Sequence, residues 1–479
     1  MMRSETGLRP FMKTLEGFGE LKRVKAPVDW KHEVGAIMHE VNRKRGPAIL
    51  FENVKDHPIP LFVGALSTRR RIALALGLPP DTPLQQIIQE YKERTKAPIE
   101  PEIVANGPCK NKIFHENKVD LSIFPAPWWH EMDGGRYIGT LHSVVCKDPD
   151  TGWQNCAIHR VMVHDKRTCG IYFAPGQHNA IILSKYEQMK RPMPVAIAIG
   201  LDPVCILTSA GGFPAYVSEW TVAGALKKAP LRLVKCETND LYVPAEAEIV
   251  IEGEIAAGER RDEGPFGEHT GYFGGSRVPR PVIAVKCVTH RREPILQGTY
   301  EGMPPNEDHM LTSINSSALA LKVFEEMGFI GVKNIYFPTG ADPWLSAIIS
   351  IEKKYEGHGI DASRALFACK AGSFVKHIIV VDQDIDVFDL ENVLWAVNTR
   401  FQARRAIITR LEHGSTLDPS KPLEWGGVTD RMVIDATWPM THEFPSRSEW
   451  MGLCHPPTLE PSQELLDRVR KRWKEYGIN

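Results

Sequence analysis

The chain has 479 residues, of which 43% are hydrophobic and 24% charged, and its formal net charge is −1. Such a length calls for two to three domains with apolar material for more than one core, and the balance of charge excludes a global field favouring nucleic acid or an anionic membrane. No stretch approaches the roughly 18 apolar residues of a membrane helix. The start, MMRSETGLRPFMKTLEGFGE, lacks the apolar core of a secretory signal. Nine dispersed cysteines without a C-x-x-C pair read as reduced thiols of a cytosolic protein, not as a disulfide framework or a zinc site.

The first hundred residues read as mixed α/β. PAILFENV suits a strand, and DTPLQQIIQEYKER suits a helix with Thr82 as N-cap, Pro83 at the first position and Gln85 closing a capping box. Around KAPIEPEIVANGPCK the periodicity is lost, which marks a linker or a domain edge. From Ile113 to His290 short strand-like pieces recur: IGTLHSVVCKD, CAIHRVMVHD, TCGIYFA, PVAIAIG, AEIVIEGEI and PVIAVKCVTH. Helices are expected only at HNAIILSKYEQMKR and EWTVAGALKKA. That pattern predicts a partly closed barrel or a layered sheet. After Pro304 the α/β pattern returns, with helices at SINSSALALKVFEEMGF and LENVLWAVNTRF and a strand in FVKHIIVVDQDIDVFD. The end, PSQELLDRVRKRWKEYGIN, reads as an amphipathic helix that docks on its own chain or on a partner. Neither a G-x-G-x-x-G nor a Walker loop occurs.

Several polar constellations interrupt this frame. Asn155 and Arg160 in WQNCAIHRVMV are five apart, so a strand sends them to opposite faces unless it bends. Gln177 and His178 open a helix and are adequately explained as capping. Gly211 and Gly212 let backbone approach a ligand. Ser218 and Glu219 read as an N-cap and an acid favoured by the helix dipole. ERRDEGPFGEHTGYF is harder to explain blandly, because Glu263 and Glu268 flank Gly-Pro-Phe-Gly beside arginines. Two close carboxylates raise each other's proton affinity and an arginine lowers it, which suits acid–base work. A solvated surface loop is the competing explanation. Asn155, His178 and Glu219 together offer a mixed O/N ligand set for manganese, magnesium or iron, with phosphate as a natural further ligand.

With these motifs in series (NCAIHR, GQH, SEW, DEGPFGEHTGY, FVKHIIVVDQDID) the chain resembles the UbiD family of reversible decarboxylases that use prenylated FMN. The resemblance implies an N-terminal α/β domain (1–112), a central split β-barrel of the flavin-reductase kind (113–305), a C-terminal α/β dimerisation domain (306–455) and a docking helix (456–479). It implies that Asn155, His178 and Glu219 hold a divalent metal, usually manganese, that ties the cofactor phosphate to the protein, with potassium nearby. Arg160, Glu263 and Glu268 match the catalytic network, with Glu268 as proton donor. Gln177 and Lys376 are expected near the cofactor, and Ile158, Ser209, Gly212 and Phe213 along the flavin. Losing carbon dioxide from such an acid leaves an sp2 carbanion that no side chain can delocalise, and the cofactor supplies the electron sink.

The substrate so implied is an aromatic or heteroaromatic carboxylic acid, with an α,β-unsaturated acid as the alternative. GTYEGMPPNEDHM and LEHGSTLDPSKPLEWGG are expected to shape its pocket. A flavin prenyltransferase is the implied cofactor supplier and a homodimer the implied assembly. A metal-dependent hydrolase, with Glu263 and Glu268 as acid and base, and a non-catalytic flavin-binding subunit are the readings from other classes.

Overall fold

The computed structural model of the chain describes residues 6–440, 445–459 and 461–477. Its centre is a nine-stranded antiparallel sheet. In spatial order the path is Tyr137–Gly139, Val161–Val163, Thr168–Ile171, Val278–His290, Ile249–Glu263, Met193–Ile199, His142–Lys147 and Gln154–Ala157, with Lys112–His115 pairing Val278–His290. The path does not return on itself, so among the described residues the expected barrel is an open sheet.

Met193–Ile199 shows why this sheet sits at the centre of the protein. Side chains alternate along a strand, and here both faces are covered. Val195, Ile197 and Ile199 pack into a core with Trp129 and Phe266, while Ala196 and Ala198 face a second core with Leu207 and Trp220. The helix Pro203–Ser209 lies wholly inside that second core; Asp202 caps it by accepting from the Val204 N–H, and Pro203 fills its first position.

Two further layers complete the molecule. Leu21–Val24, Ala48–Phe51, Leu61–Val63 and Leu296–Gly298 form a four-stranded sheet, so the N-terminal layer takes its last strand from residues 296–298. Conversely, Glu102–Val104 pairs with Arg232–Lys235, so division along the chain is not division in space. In the C-terminal region Ser346–Ile351, His377–Asp382 and Val428–Ala436 run parallel, flanked by antiparallel Val332–Tyr336 and Ile407–His413. The helix Glu307–Glu326 joins this region to the centre. Its Asn306 and His309 form a capping box, and its Asn315 accepts from the buried Tyr91 hydroxyl on the helix Leu84–Arg94.

Three local expectations change. Thr82 donates its hydroxyl to the Pro79 carbonyl at 2.7 Å, and the helix starts at Leu84 after an N-cap at Pro83, so the capping box does not form. The charged ERRDE segment is no loop but the end of the strand Ile249–Glu263, exposed as far as Asp262 and paired with Val278–Pro281. The terminal helix Gln463–Lys471 buries no residue within the chain. No helix among the described residues is long and apolar enough to cross a membrane.

Candidate active site

A cavity of about 360 Å³ opens between the central sheet, the helix Glu307–Glu326 and the C-terminal region. One group on its wall is ionic. The strand carrying Asn155 ends at Ala157 and the next begins at Val161, so the chain bends through Ile158–Arg160 and both Asn155 and Arg160 line the cavity despite their odd spacing. Glu263 ends its strand, and Gly264, with φ +82°, turns the chain back towards Glu268. Two hydrogen bonds from the facing wall hold that turn: Gly134 N–H to the Pro265 carbonyl (2.7 Å) and Gly267 N–H to Asp133 Oδ1 (2.9 Å).

The three side chains meet. Arg160 donates from Nε and Nη2 to the two Glu263 oxygens at 2.9 and 2.7 Å, and from Nη1 to Glu268 Oε1. Tyr137 donates its hydroxyl to Glu263 Oε1 at 2.8 Å. Burial works against the Arg160 charge, but Glu268 and Glu263 outweigh it and its pKa is raised. The carboxylates are not equivalent: Glu263 is fully buried with both oxygens engaged, whereas Glu268 reaches the cavity surface. The Tyr172 and Phe266 rings lie over the guanidinium at 5.0 and 5.4 Å and keep the site apolar.

The second group gathers where two helices begin. His178 opens His178–Gln188 and Glu219 opens Glu219–Lys227, and both line the cavity with Asn155. Asn155 Nδ2 donates to Asn179 Oδ1 (2.9 Å), which turns its oxygen towards His178 Nδ1 (3.1 Å). With Nδ1 donating there, Nε2 keeps the lone pair a cation requires. Burial lowers the His178 pKa, and Lys370 lowers it further. Burial pushes Glu219 up to about 8, against the N–H groups of Glu219 itself and Cys156 (3.0 Å). A cation beside this buried carboxyl would hold it ionised. Two helix N-termini also favour an anion. Lys370 makes no ion pair among the described residues, burial lowers its pKa, and its stem packs over Gly212. The donor set, the helix ends and the lysine fit a phosphate bridged to a metal.

Ile158, Ser209, Gly212 and Phe213 line the same cavity, as does Gln177 at the N-cap of His178–Gln188. The Ile158 N–H donates to the Ser209 carbonyl at 3.1 Å. Lys376 lies elsewhere. Its Nζ pairs with Asp418 at 2.9 Å, and it lines a separate depression, so Lys370 and not Lys376 is the lysine of the main cavity. The two pocket-shaping segments contribute Glu301, Asp308, His413 and Gly414–Leu417.

Sequence reasoning missed the acids Glu301 and Asp308, the imidazole of His269 and the helix ending at Ser209. EGMPPNEDH displayed the acids, and the Asp-Pro pair before VCILTS is a helix start. His269 Nδ1 contacts Asp342 Oδ2 at 3.2 Å. Burial opposes its charge, but this hydrogen bond and the acids around it raise its pKa to about 9. His269, His309 and Asp342 place ligand-type atoms within 4.8 Å. His309 is already bonded to Asn306 and to the His269 carbonyl, so the trio is a closed hydrogen-bond network.

Three regions match the 3-octaprenyl-4-hydroxybenzoate carboxy-lyase (UbiD) family: its N-terminal domain at 12–91, its Rift-related domain at 102–304 and its C-terminal domain at 309–436. Pyrrole-2-carboxylic acid decarboxylase of Pseudomonas aeruginosa is 32% identical over 100% of this chain and 99% of its own. The vanillic acid decarboxylase of Sedimentibacter hydroxybenzoicus, in closed form, superposes with a TM-score of 0.90 at 30% identity, covering 100% of both chains. An evolved dimeric form of HmfF from Pelotomaculum thermopropionicum, in complex with prFMN, gives 0.81 at 36% identity over 93% of this chain and 98% of its own.

Proposed function

The chain belongs to the UbiD family of carboxy-lyases, and on that premise we propose that it decarboxylates an aromatic or heteroaromatic carboxylic acid with prenylated FMN. One observation carries this reading: the Arg160–Glu263–Glu268 cluster and the Asn155–His178–Glu219 set line a single cavity or abut it. Its volume falls within the roughly 300–1,000 Å³ of cofactor sites. Asn155, His178 and Glu219 would hold manganese or magnesium, with potassium nearby. Lys370 and the two helix starts would receive the phosphate. Ile158, Ser209, Gly212 and Phe213 would support the ring. When bound, the cofactor supplies the electron sink that twenty side chains lack. We take the open central sheet to be the family's split barrel, and a flavin prenyltransferase to be the supplier of the cofactor.

The chain's own groups then divide the work. Arg160 is fixed by the bidentate grip of Glu263 and would receive the substrate carboxylate on the N–H groups that the two glutamates leave free. Phe266, Phe213 and Leu417 keep that carboxylate poorly solvated, which favours its departure as carbon dioxide. Glu268, with one oxygen on Arg160 and its carboxyl at the cavity surface, delivers the proton to the carbon left behind. Glu263 has no oxygen to offer and acts by positioning Arg160. Assembly as a dimer is in keeping with exposed Leu394 and Trp395 on the C-terminal region and Leu465 and Trp473 near the chain end.

The test is co-expression with a flavin prenyltransferase, followed by assay of carboxyl-labelled ring acids. A coloured protein that releases labelled carbon dioxide, and a Glu268→Gln variant that keeps the colour and loses the release, are the expected results. Full flavin content with no release from any ring acid contradicts the proposal.

A further inference from the structure

We propose that Trp153 is a positioning residue for the Asn155–His178–Glu219 set: its indole clasps the three chain segments that carry these side chains and keeps them in register for one divalent cation. This inference rests on the decarboxylase reading for the ligand set and adds to it the group that holds the set together. The three side chains come from separate places, one strand and two helix starts. Trp153 directly precedes the strand Gln154–Ala157, which carries Asn155. Its Nε1 donates to the Val217 carbonyl at 3.0 Å, just ahead of Glu219. Its ring meets the His178 imidazole edge-on, with centroids 5.2 Å apart and planes at 74°. One side chain thus touches or adjoins every ligand-bearing segment.

The helix starts need such a clasp. Gln177 and Ser218 occupy the N-cap positions, and neither side chain caps its helix. A helix start without that hydrogen bond is the less stable for it. The helix His178–Gln188 is tied farther along, where Lys185 pairs with Asp148 at 2.5 Å and Asp150 at 2.8 Å on the turn before Trp153. At its first residue the imidazole is held by Asn155 through Nδ1, and the indole edge limits its swing. The loop into Glu219 is fixed by the bond to Val217. In that loop Tyr216 takes φ +68°, uncommon for an aromatic residue, and its ring also lies against Trp153 at 5.4 Å. Groups that orient metal ligands from behind are worth about 10–100-fold in metal affinity.

The test titrates metal-stripped, full-length protein with Mn2+ in excess FMN, read by the electron paramagnetic resonance of the free ion. Trp153→Phe keeps a ring and loses the N–H; Trp153→Leu loses both. Mn2+ affinity is expected to fall by about tenfold or more in Trp153→Phe and further in Trp153→Leu, at a temperature where circular dichroism shows the variant folded. Should the leucine variant not fold, the phenylalanine variant alone decides. A tryptophan that only packs would lower the unfolding temperature and leave the Mn2+ affinity of the folded protein unchanged. That result overturns the inference, as does a wild-type protein that binds no Mn2+. Carbon dioxide release is scored separately. Weakened Mn2+ binding in the variants, with no release from any ring acid by the wild type, upholds the clasp and sinks the decarboxylase reading. Release with unaltered Mn2+ affinity does the reverse.

Discussion

Glu263 and Glu268 share one arginine yet differ in what remains of them. Both Glu263 oxygens are held by Arg160, with Tyr137 added, while Glu268 keeps an oxygen that Arg160 does not take. Glu268→Gln is therefore expected to cut turnover by about 100-fold or more with flavin affinity unchanged, as steady-state assay and flavin fluorescence will show. His269 gives a pH prediction. Its pKa is raised to about 9 in the fold, chiefly against burial by the bond to Asp342. The resulting stability is full below the ordinary histidine pKa of about 6.5 and is lost as pH rises towards about 9. Asp342→Asn is expected to lower unfolding free energy by about 1–3 kcal/mol near pH 6 and by little at pH 9, measured by denaturant titration at each pH. An equal deficit at both pH values contradicts the assigned pair. At this scale the sequence displayed its motifs but hid the partners. Nothing in EHTG says that Asp342, 73 residues on, closes on its histidine.

The turn that carries Glu268 depends on close backbone approach. A Cβ on Gly134 would lie 1.9 Å from the Gly264 carbonyl oxygen, which is backbone and cannot swing aside. Gly134→Ala is expected to destabilise the protein by about 1–3 kcal/mol and to reduce turnover more than flavin affinity, since the displaced turn holds Glu263 and Glu268. A variant with wild-type stability and activity would show that the approach is not required. Elements with strong alternation or helical period were legible, among them Met193–Ile199 and the helix Glu307–Glu326. Pro203–Ser209 was not, because a short helix buried on every side has no polar stripe to give it a period. The bend at Ile158–Arg160 could be named only as a condition for a related reason: CAIHRVMV alternates well enough to pass for one strand, although the chain pairs it as two.

Across the whole molecule, the three-layer sequence of α/β, β-rich and α/β regions was legible from composition and periodicity. The exchange of strands between layers was not, since Leu296–Gly298 and Glu102–Val104 pair far from their sequence neighbours. The cavity exists because of that layering: the central sheet supplies Arg160, the helix Glu307–Glu326 supplies Asp308, and the C-terminal region closes over them through Lys370 and Thr416, whose hydroxyl meets that of Tyr172 at 3.1 Å. The terminal helix takes no part in it. Truncation after residue 459 is expected to leave flavin affinity unchanged and stability within about 0.5 kcal/mol, while lowering the mass in sedimentation if that helix joins two chains. A large loss of stability in the truncated monomer would show packing that the structure lacks.

The account is tested most directly by a crystal structure of the chain with FMN and manganese. The phosphate is predicted at Lys370 and the metal on Asn155, His178 and Glu219, with the flavin ring within about 4 Å of Arg160 or Glu268. A flavin bound elsewhere, or a ring held out of reach of Arg160 and Glu268, contradicts it.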